Sequence, residues 1–213
     1  SGNSSGYIFS AAGTIGSYFN IGANANSGQN YVVCTGLTGT LQRNDLVKII
    51  SNADFSSDAS RAQGEMHLVE SVSGDSVLFN NVLFDTYLTG QTGKMAKVSP
   101  TTFYLDDNIT IKQTEYNAAN SPTPRGVFCQ YGFRPEIKGH YINCQEAAVR
   151  IEDCYAPIVD ATANNVWYVG GGTNYGVSIS NATMYPRIMG VYQGCRDAIS
   201  FGGNTLGGVV WEA

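Results

Sequence analysis

The sequence predicts an all-β chain whose second half winds into a β-solenoid. The first observation behind this is composition: of 213 residues, 43% are hydrophobic and only 14% charged, against roughly 25% charged in an average soluble domain. With 25 glycines, 13 tyrosines and 9 phenylalanines, short strands joined by turns are favoured over long helices. The second is a repeat at intervals of 22, 28 and 22 residues in the second half. The third is strict apolar–polar alternation inside each repeat, the period of a strand with one face in a core.

Residues 1–27 read as a leader or first coil, 28–100 as a β-rich cap or insertion, and 101–213 as the solenoid coils. In the first hundred residues the strand candidates are Tyr31 to Cys34, Asp45 to Ile50, Met66 to Val72 and Val77 to Phe84. Ser73-Gly74-Asp75 supplies a hairpin turn between the last two. One short helical turn is expected around Ser56 to Gln63, with Ser56 or Ser57 as N-cap and Gly64 as stop.

The repeat aligns Gly126-Val127-Phe128-Cys129-Gln130 with Ala148-Val149-Arg150-Ile151-Glu152, Gly176-Val177-Ser178-Ile179-Ser180 and Ala198-Ile199-Ser200-Phe201-Gly202. Val127, Val149, Val177 and Ile199 then form one inward column, and Cys129, Ile151, Ile179 and Phe201 a second. Phe128, Arg150, Ser178 and Ser200 point outward. A second echo runs through Phe133 to Ile137, Tyr155 to Val159 and, shifted by one, Tyr185 to Ile188. A third pairs Tyr141-Ile142-Asn143-Cys144 with Tyr192-Gln193-Gly194-Cys195. Repeats of this length, each holding strands and turns, stack into a continuous core. The leucine spacing and helix of a leucine-rich repeat are missing.

Several function classes are excluded at this level. Twelve Lys and Arg residues without a cluster and a net charge of -5 speak against a nucleic-acid partner, which is held by neutralised phosphates. No apolar run approaches the roughly 18 residues of a membrane span. The five cysteines contain no CxxC pair, so no disulfide framework or zinc site is signalled, and no metal or other cofactor is expected. Gly170-Gly171-Gly172 is followed by no Gly-Lys-Ser/Thr and so is no phosphate loop.

Glycoside hydrolysis requires two carboxylates about 5–9.5 Å apart. Glu146 and Asp197, two residues after Cys144 and Cys195, form the best pair on paper, roughly 10 Å apart across two coil spacings. Both also read as solvated turn residues, and that reading is favoured. His140 is the acid/base candidate because Glu136 and Glu146 lie near it in sequence. His67, with Glu65 and Val69 on its strand face, reads as a half-buried strand histidine. Arg150 and Glu152 read as a surface ion pair, and Asp153 and Asn181 as turn residues. Trp167, Tyr168, Tyr175 and Tyr185 cluster around the insertion Asn164 to Asn174. Aromatic rings there suit stacking of sugars, or the covering of a neighbouring chain.

The stretch from Asn44-Asp45-Leu46-Val47-Lys48-Ile49 through Gly64-Glu65-Met66-His67-Leu68-Val69 to Val72-Ser73-Gly74-Asp75-Ser76-Val77-Leu78-Phe79, followed by the Val and Cys/Ile coils, resembles bacteriophage tailspike and polysaccharide depolymerase proteins with a pectate-lyase-like fold. That resemblance implies a right-handed parallel β-helix, a homotrimeric rod on the phage tail, and binding, often with cleavage, of bacterial capsule or lipopolysaccharide glycan. The paired aspartates, Gly-His-Gly and Arg-x-Lys of polygalacturonases are absent, Gly139-His140-Tyr141 being only a fragment. Two rival readings stay open: a secreted, monomeric pectin-lyase-like lyase or hydrolase, and a spike-shaft segment without ligand.

Overall fold

In a computed structural model, residues 6–37, 39–55, 58–112, 125–166, 174–202 and 205–210 are described. The strands in chain order are β1 (Tyr7–Ala12), β2 (Thr14–Asn20), β3 (Tyr31–Val33), β4 (Leu46–Phe55), β5 (Asp58–Ser73), β6 (Ser76–Phe79) and β7 (Lys94–Ser99). They continue as β8 (Tyr104–Leu105), β9 (Thr110–Lys112), β10 (Arg125–Gln130), β11 (Glu136–Ile142), β12 (Ala147–Glu152) and β13 (Ile158–Asn164). The last are β14 (Tyr175–Ser180), β15 (Arg187–Gln193), β16 (Asp197–Phe201) and β17 (Val209–Val210).

Two parallel sheets run side by side along the molecule. One has the order β1-β10-β12-β14-β16, the other β17-β15-β13-β11 with β8 and β9 pairing β11. A third parallel column consists of single bridges, Phe133 to Tyr155 to Met184 to Leu206. Each coil therefore has three sides, which makes the second half a parallel β-helix as expected. The expected columns are in register: Val127–Val149–Val177–Ile199 and Cys129–Ile151–Ile179–Phe201, with Phe128–Arg150–Ser178–Ser200 between them. The first column and Cys129, Ile151 and Ile179 pack in the core, whereas Phe201, on the last strand of this sheet, is exposed.

The corners repeat as faithfully as the strands. Tyr131, Asp153 and Asn181 adopt positive φ after the first side, Arg134, Ala156 and Tyr185 after the short side, and Asn143 and Asn165 after the second sheet. Non-glycine residues adopt this conformation only where the surroundings enforce it, and here each coil must turn at the same place to stay stacked. The one-residue shift of Tyr185 has a local cause. Two residues lie between Tyr131 and Arg134 and between Asp153 and Ala156, whereas three lie between Asn181 and Tyr185, so Met184 occupies the place of Phe133 and Tyr155.

Residues 14–99 form an antiparallel sheet of order β2-β7-β4-β5-β6-β3, inserted between β1 of the first coil and β8. Its central strands bury both faces. Val47, Ile49, Val69 and Met95 point into the insertion's own core with Val32, Phe79 and Tyr87. Leu46, Met66 and Val98 point the other way, onto Tyr155, Ala182 and Met184 of the short solenoid side. Lys48 lies on that second face and pairs with the buried Asp153 at 2.7 Å. Asp153 also accepts hydrogen bonds from the Gln130 side chain at 3.3 Å and the Ala182 N–H at 3.1 Å. The turn residue read in Asp153 is thus also the anchor of the insertion.

Two expectations, the helical turn and the half-buried histidine, are corrected, and the outward Phe128 is given its cover. Residues 58–63 belong to β5, which pairs antiparallel with β4, and not to a helical turn; cross-strand pairing overrides the weak local capping signal. Phe128 points out of the coil yet is 1% exposed in the single chain, with the Tyr7 ring of β1 at 5.3 Å; its burial needs no neighbouring chain. His67 is fully buried and not half-buried.

All five cysteines are free, and Cys129 is fully buried in its apolar column. Burial pushes the Cys34 and Cys144 thiols up to about 12 and the Cys154 thiol well above its ordinary range. Burial also raises Cys195, which is only partly covered. A raised thiol is neutral, and the thiolate is the reactive form. At pH 8 a chromogenic thiol reagent should therefore titrate Cys195 first and slowly, and all five cysteines only after denaturation.

A Cβ on Gly126 would fall 2.0 Å from the Ala148 carbonyl oxygen and 3.0 Å from the Tyr141 ring, whereas one on Gly90 meets nothing within 4 Å. Gly126→Ala should cost about 2–4 kcal/mol in urea unfolding. Gly90→Ala should stay within about 0.5 kcal/mol of wild type.

Candidate functional site

The outward column on the first sheet shrinks along the molecule, from Phe128 through Arg150 to Ser178 and Ser200. The neighbouring outward column runs Gln130, Glu152, Ser180, and then Gly202 beyond β16. Parallel strands stack about 4.8 Å apart, so the step from a long side chain to serine leaves a groove. It has a volume of about 220 Å³ and is lined by Arg150, Glu146 and Glu152 together with Tyr175, Ser178, Ser180, Asn181 and Ser200.

Arg150 is the centre of its charged part. The guanidinium donates to Glu152 Oε1 from Nε at 2.8 Å and from a terminal nitrogen at 2.6 Å. Its other terminal nitrogen reaches Glu146 Oε1 at 3.2 Å. Glu146 is held again by Arg125 through Oε2, and Arg125 in turn lies over the Tyr7 ring. Burial is the largest single influence on the Arg150 guanidinium and lowers it, but the charges and hydrogen bonds of Glu152 and Tyr7 together outweigh burial and hold the group above its ordinary value. On the far side Tyr175 stands under the Arg196 guanidinium, 5.3 Å from the ring centroid. Among the described residues the groove thus offers guanidinium donors, carboxylate acceptors, three serine hydroxyls and one aromatic ring. That set matches the hydroxyl-rich edges and apolar faces of sugar rings.

The residues singled out from sequence divide among three places. Glu146 and Tyr175 line the groove. Asp197 pairs in register with Tyr175, which pairs with Ala147, so it sits two strands away from Glu146 and one residue out of step. Asp197 engages Arg196 at 2.8 Å and does not line the groove. His140 lies on the second sheet, exposed, in register with Thr110 and Thr162. Tyr185 is on the short side under the insertion, with Tyr155 at 5.7 Å and Phe84 at 6.3 Å, and burial raises its phenol. Trp167 and Tyr168 lie outside the described residues. Arg150 and Glu152, read from sequence as a surface ion pair, stand at the centre of the groove; the decreasing size of their outward columns was the signal.

A second polar cluster is structural. The buried carboxylate of Glu65 accepts the N–H groups of Phe84 and Asp85 at 2.9 and 2.6 Å and the Tyr87 hydroxyl at 3.1 Å. His67 Nε2 lies 2.9 Å from it, with the imidazole stacked on Phe79. Burial and then the Glu65 charge raise both the Asp85 carboxyl and the Tyr87 phenol. The Gly-Glu-Met-His stretch thus serves both faces of β5: Glu65 and His67 fix the 84–87 loop, Met66 packs on the solenoid, and Gly64 lets Ala182 approach within 3.2 Å of where a Cβ would stand. Among the described residues no three His, Cys, Asp or Glu side chains converge as a metal site.

No family model and no curated protein sequence matches the chain. Solved structures do match. The tailspike Gp54 of Acinetobacter baumannii bacteriophage AP22, in complex with A. baumannii capsular saccharide, is 22% identical with a TM-score of 0.75, over 95% of this chain and 34% of that one. The tailspike gp61 of Pseudomonas phage phi297 is 17% identical with a TM-score of 0.76, over 97% and 38%. The tailspike protein gp49 of Pseudomonas phage LKA1 is 19% identical with a TM-score of 0.69, over 93% and 34%. The chain therefore shares the fold of phage tailspikes and spans about a third of the length of those it matches.

Removing Arg150 would strand Glu152, which is 5% exposed. Arg150→Met should lower stability by about 2–4 kcal/mol in urea unfolding, and Arg150→Met with Glu152→Gln should recover a large part of it, since an unpaired buried charge costs more than a neutral pair.

Proposed function

We propose that this chain is part of a phage tailspike on the virion tail, and that its groove over β12, β14 and β16 recognises the capsule or lipopolysaccharide glycan of a bacterial host. The observation that carries the reading is the groove itself: a polar, charge-balanced concavity edged by one aromatic ring, on a fold shared with tailspikes. Its charges argue for grip over chemistry. Glu146 and Glu152 share one guanidinium, and among the described residues the groove offers a ligand no carboxylate free of a cationic partner.

Within this proposal Glu146, Arg150, Glu152 and Tyr175 meet the glycan, and Trp167 and Tyr168, which precede Tyr175 in the chain, also bind it. Residues 14–99 serve as the cap and 101–213 as the glycan-reading solenoid, with β1 supplying a strand of its first coil. Three copies form the working rod, as closed cyclic assembly favours.

Calorimetric titration with capsular and lipopolysaccharide glycans from a panel of bacterial hosts, beside the solution mass by light scattering, tests this. One glycan should bind, with a mass of three chains. Ser200→Tyr, which fills the groove without touching the Arg150 pairs, and Tyr175→Ala should each weaken binding by about tenfold or more at unchanged mass. Binding by Ser200→Tyr at wild-type strength would remove the groove from the proposal. A single-chain mass would remove the trimer.

A further inference from the structure

We infer that the cleft where the inserted sheet meets the short side of the solenoid is a second sugar site, which takes one N-acetylated hexosamine unit. The ligand class rests on the glycan-binding reading; the cleft stands on its own geometry. It lies in the seam made when the insertion packs against the third column, and it shares no lining residue with the first-sheet groove.

The cleft has a volume of about 310 Å³, at the small end of small-molecule sites and enough for one sugar ring. Its inner wall is apolar: Leu46 of β4, Leu68 of β5 and Val98 of β7 stand side by side, because Leu46 pairs in register with both of the others. Phe133 closes the solenoid side. Its ring stacks on Tyr155 at 5.9 Å and carries Arg134 on its face at 5.2 Å, so it presents an edge to the cleft and not a stacking surface. An edge of this kind, backed by leucine and valine, fits a methyl group better than the flat face of a sugar ring.

The mouth of the cleft is polar. Lys97 pairs with Asp45 at 2.8 Å there, with the lysine 38% exposed and the aspartate 12%. Asp45 is fixed further by the Gln42 N–H at 2.8 Å. An ammonium and a carboxylate held together at the entrance supply a donor and an acceptor for neighbouring ring hydroxyls. Above a methyl-sized apolar end, that pattern matches an acetamido methyl pointing inward with the hydroxyls of the same ring outward. The first-sheet groove has the opposite character, with charges and serines on its floor. The two sites therefore read different parts of a glycan.

The test is a methyl NMR titration of the whole chain, labelled at alanine, leucine and valine, with N-acetyl-D-glucosamine and with D-glucose. Leu68 and Val98 report the cleft, and Ala147 reports the groove. Saturable shifts at Leu68 and Val98 with N-acetyl-D-glucosamine, weakened about tenfold for D-glucose, are the expected result, since loss of a buried apolar group is worth at least that much. Lys97→Met and Leu68→Gln should each weaken them. Should Leu68→Gln fail to fold, Lys97→Met alone decides. Absent cleft shifts, equal response to both sugars, or wild-type response in Lys97→Met overturns the inference. Shifts at Ala147 alone would support the groove and overturn the cleft, whereas shifts at Leu68 and Val98 without Ala147 would support the cleft and count against the groove.

Discussion

The central strands of the inserted sheet have to be apolar on both faces, and the rest of the architecture depends on that requirement. A sheet with one buried face alternates apolar and polar residues and can leave its outer face in water. Here β4 places Val47 and Ile49 in the insertion's own core and Leu46 against the solenoid, and β5 does the same with Val69 and Met66. The insertion cannot float on a tether, because detaching it would expose the second face together with Tyr155 and Met184. Lys48 adds direction to this non-directional contact. Its ammonium meets Asp153 at 2.7 Å, and a buried pair that loses one partner costs more than it stabilises when complete.

The solenoid obeys a different constraint. Its strands are short, so stacking survives only if each coil turns at the same residue. The positive-φ positions Asp153, Ala156 and Asn165 recur one coil earlier as Tyr131, Arg134 and Asn143. Asparagine tolerates this backbone, while tyrosine and arginine are strained there. The strain is offset by the fully buried columns of Val149, Ile151, Val177 and Ile179, each worth about 1.5–3 kcal/mol when removed from water. With inward residues committed to packing and corner residues to turning, only the outward columns are free to vary. The groove is written in those columns.

This division explains the chemistry of the two concavities. The groove is a property of outward side chains on neighbouring coils, so it is polar and its charges are paired laterally through Arg150. The cleft is a property of the seam between two units, so its wall is made of core-type residues and only its mouth is charged. Glu65 belongs to neither, since four groups converge on it and leave it an internal fastener of the 84–87 loop.

The sequence by itself determined the all-β class, the coil period, the inward columns and the hairpin at Gly74, because these follow from periods of two and 22 residues that pairing only has to honour. It also placed Glu65 and His67 on one strand face. Tertiary structure alone decided what those columns meet. Residues 58–63 carry a local helix signal and became strand because β4 offered a continuous partner. Phe128 points outward in the pattern and is buried because Tyr7, more than a hundred residues earlier, lies on it. Glu146 and Asp197 occupy matching places after Cys144 and Cys195 in the sequence, but pairing sets them one residue out of step, with Glu146 held by Arg125 and Arg150 and Asp197 by Arg196. Tyr175 and Tyr185 are ten residues apart in the chain and lie on different sides of the coil. Alternation fixes which way a side chain points from its own strand; which residues face each other across a seam depends on how the coils and the insertion pack, and no local period encodes that.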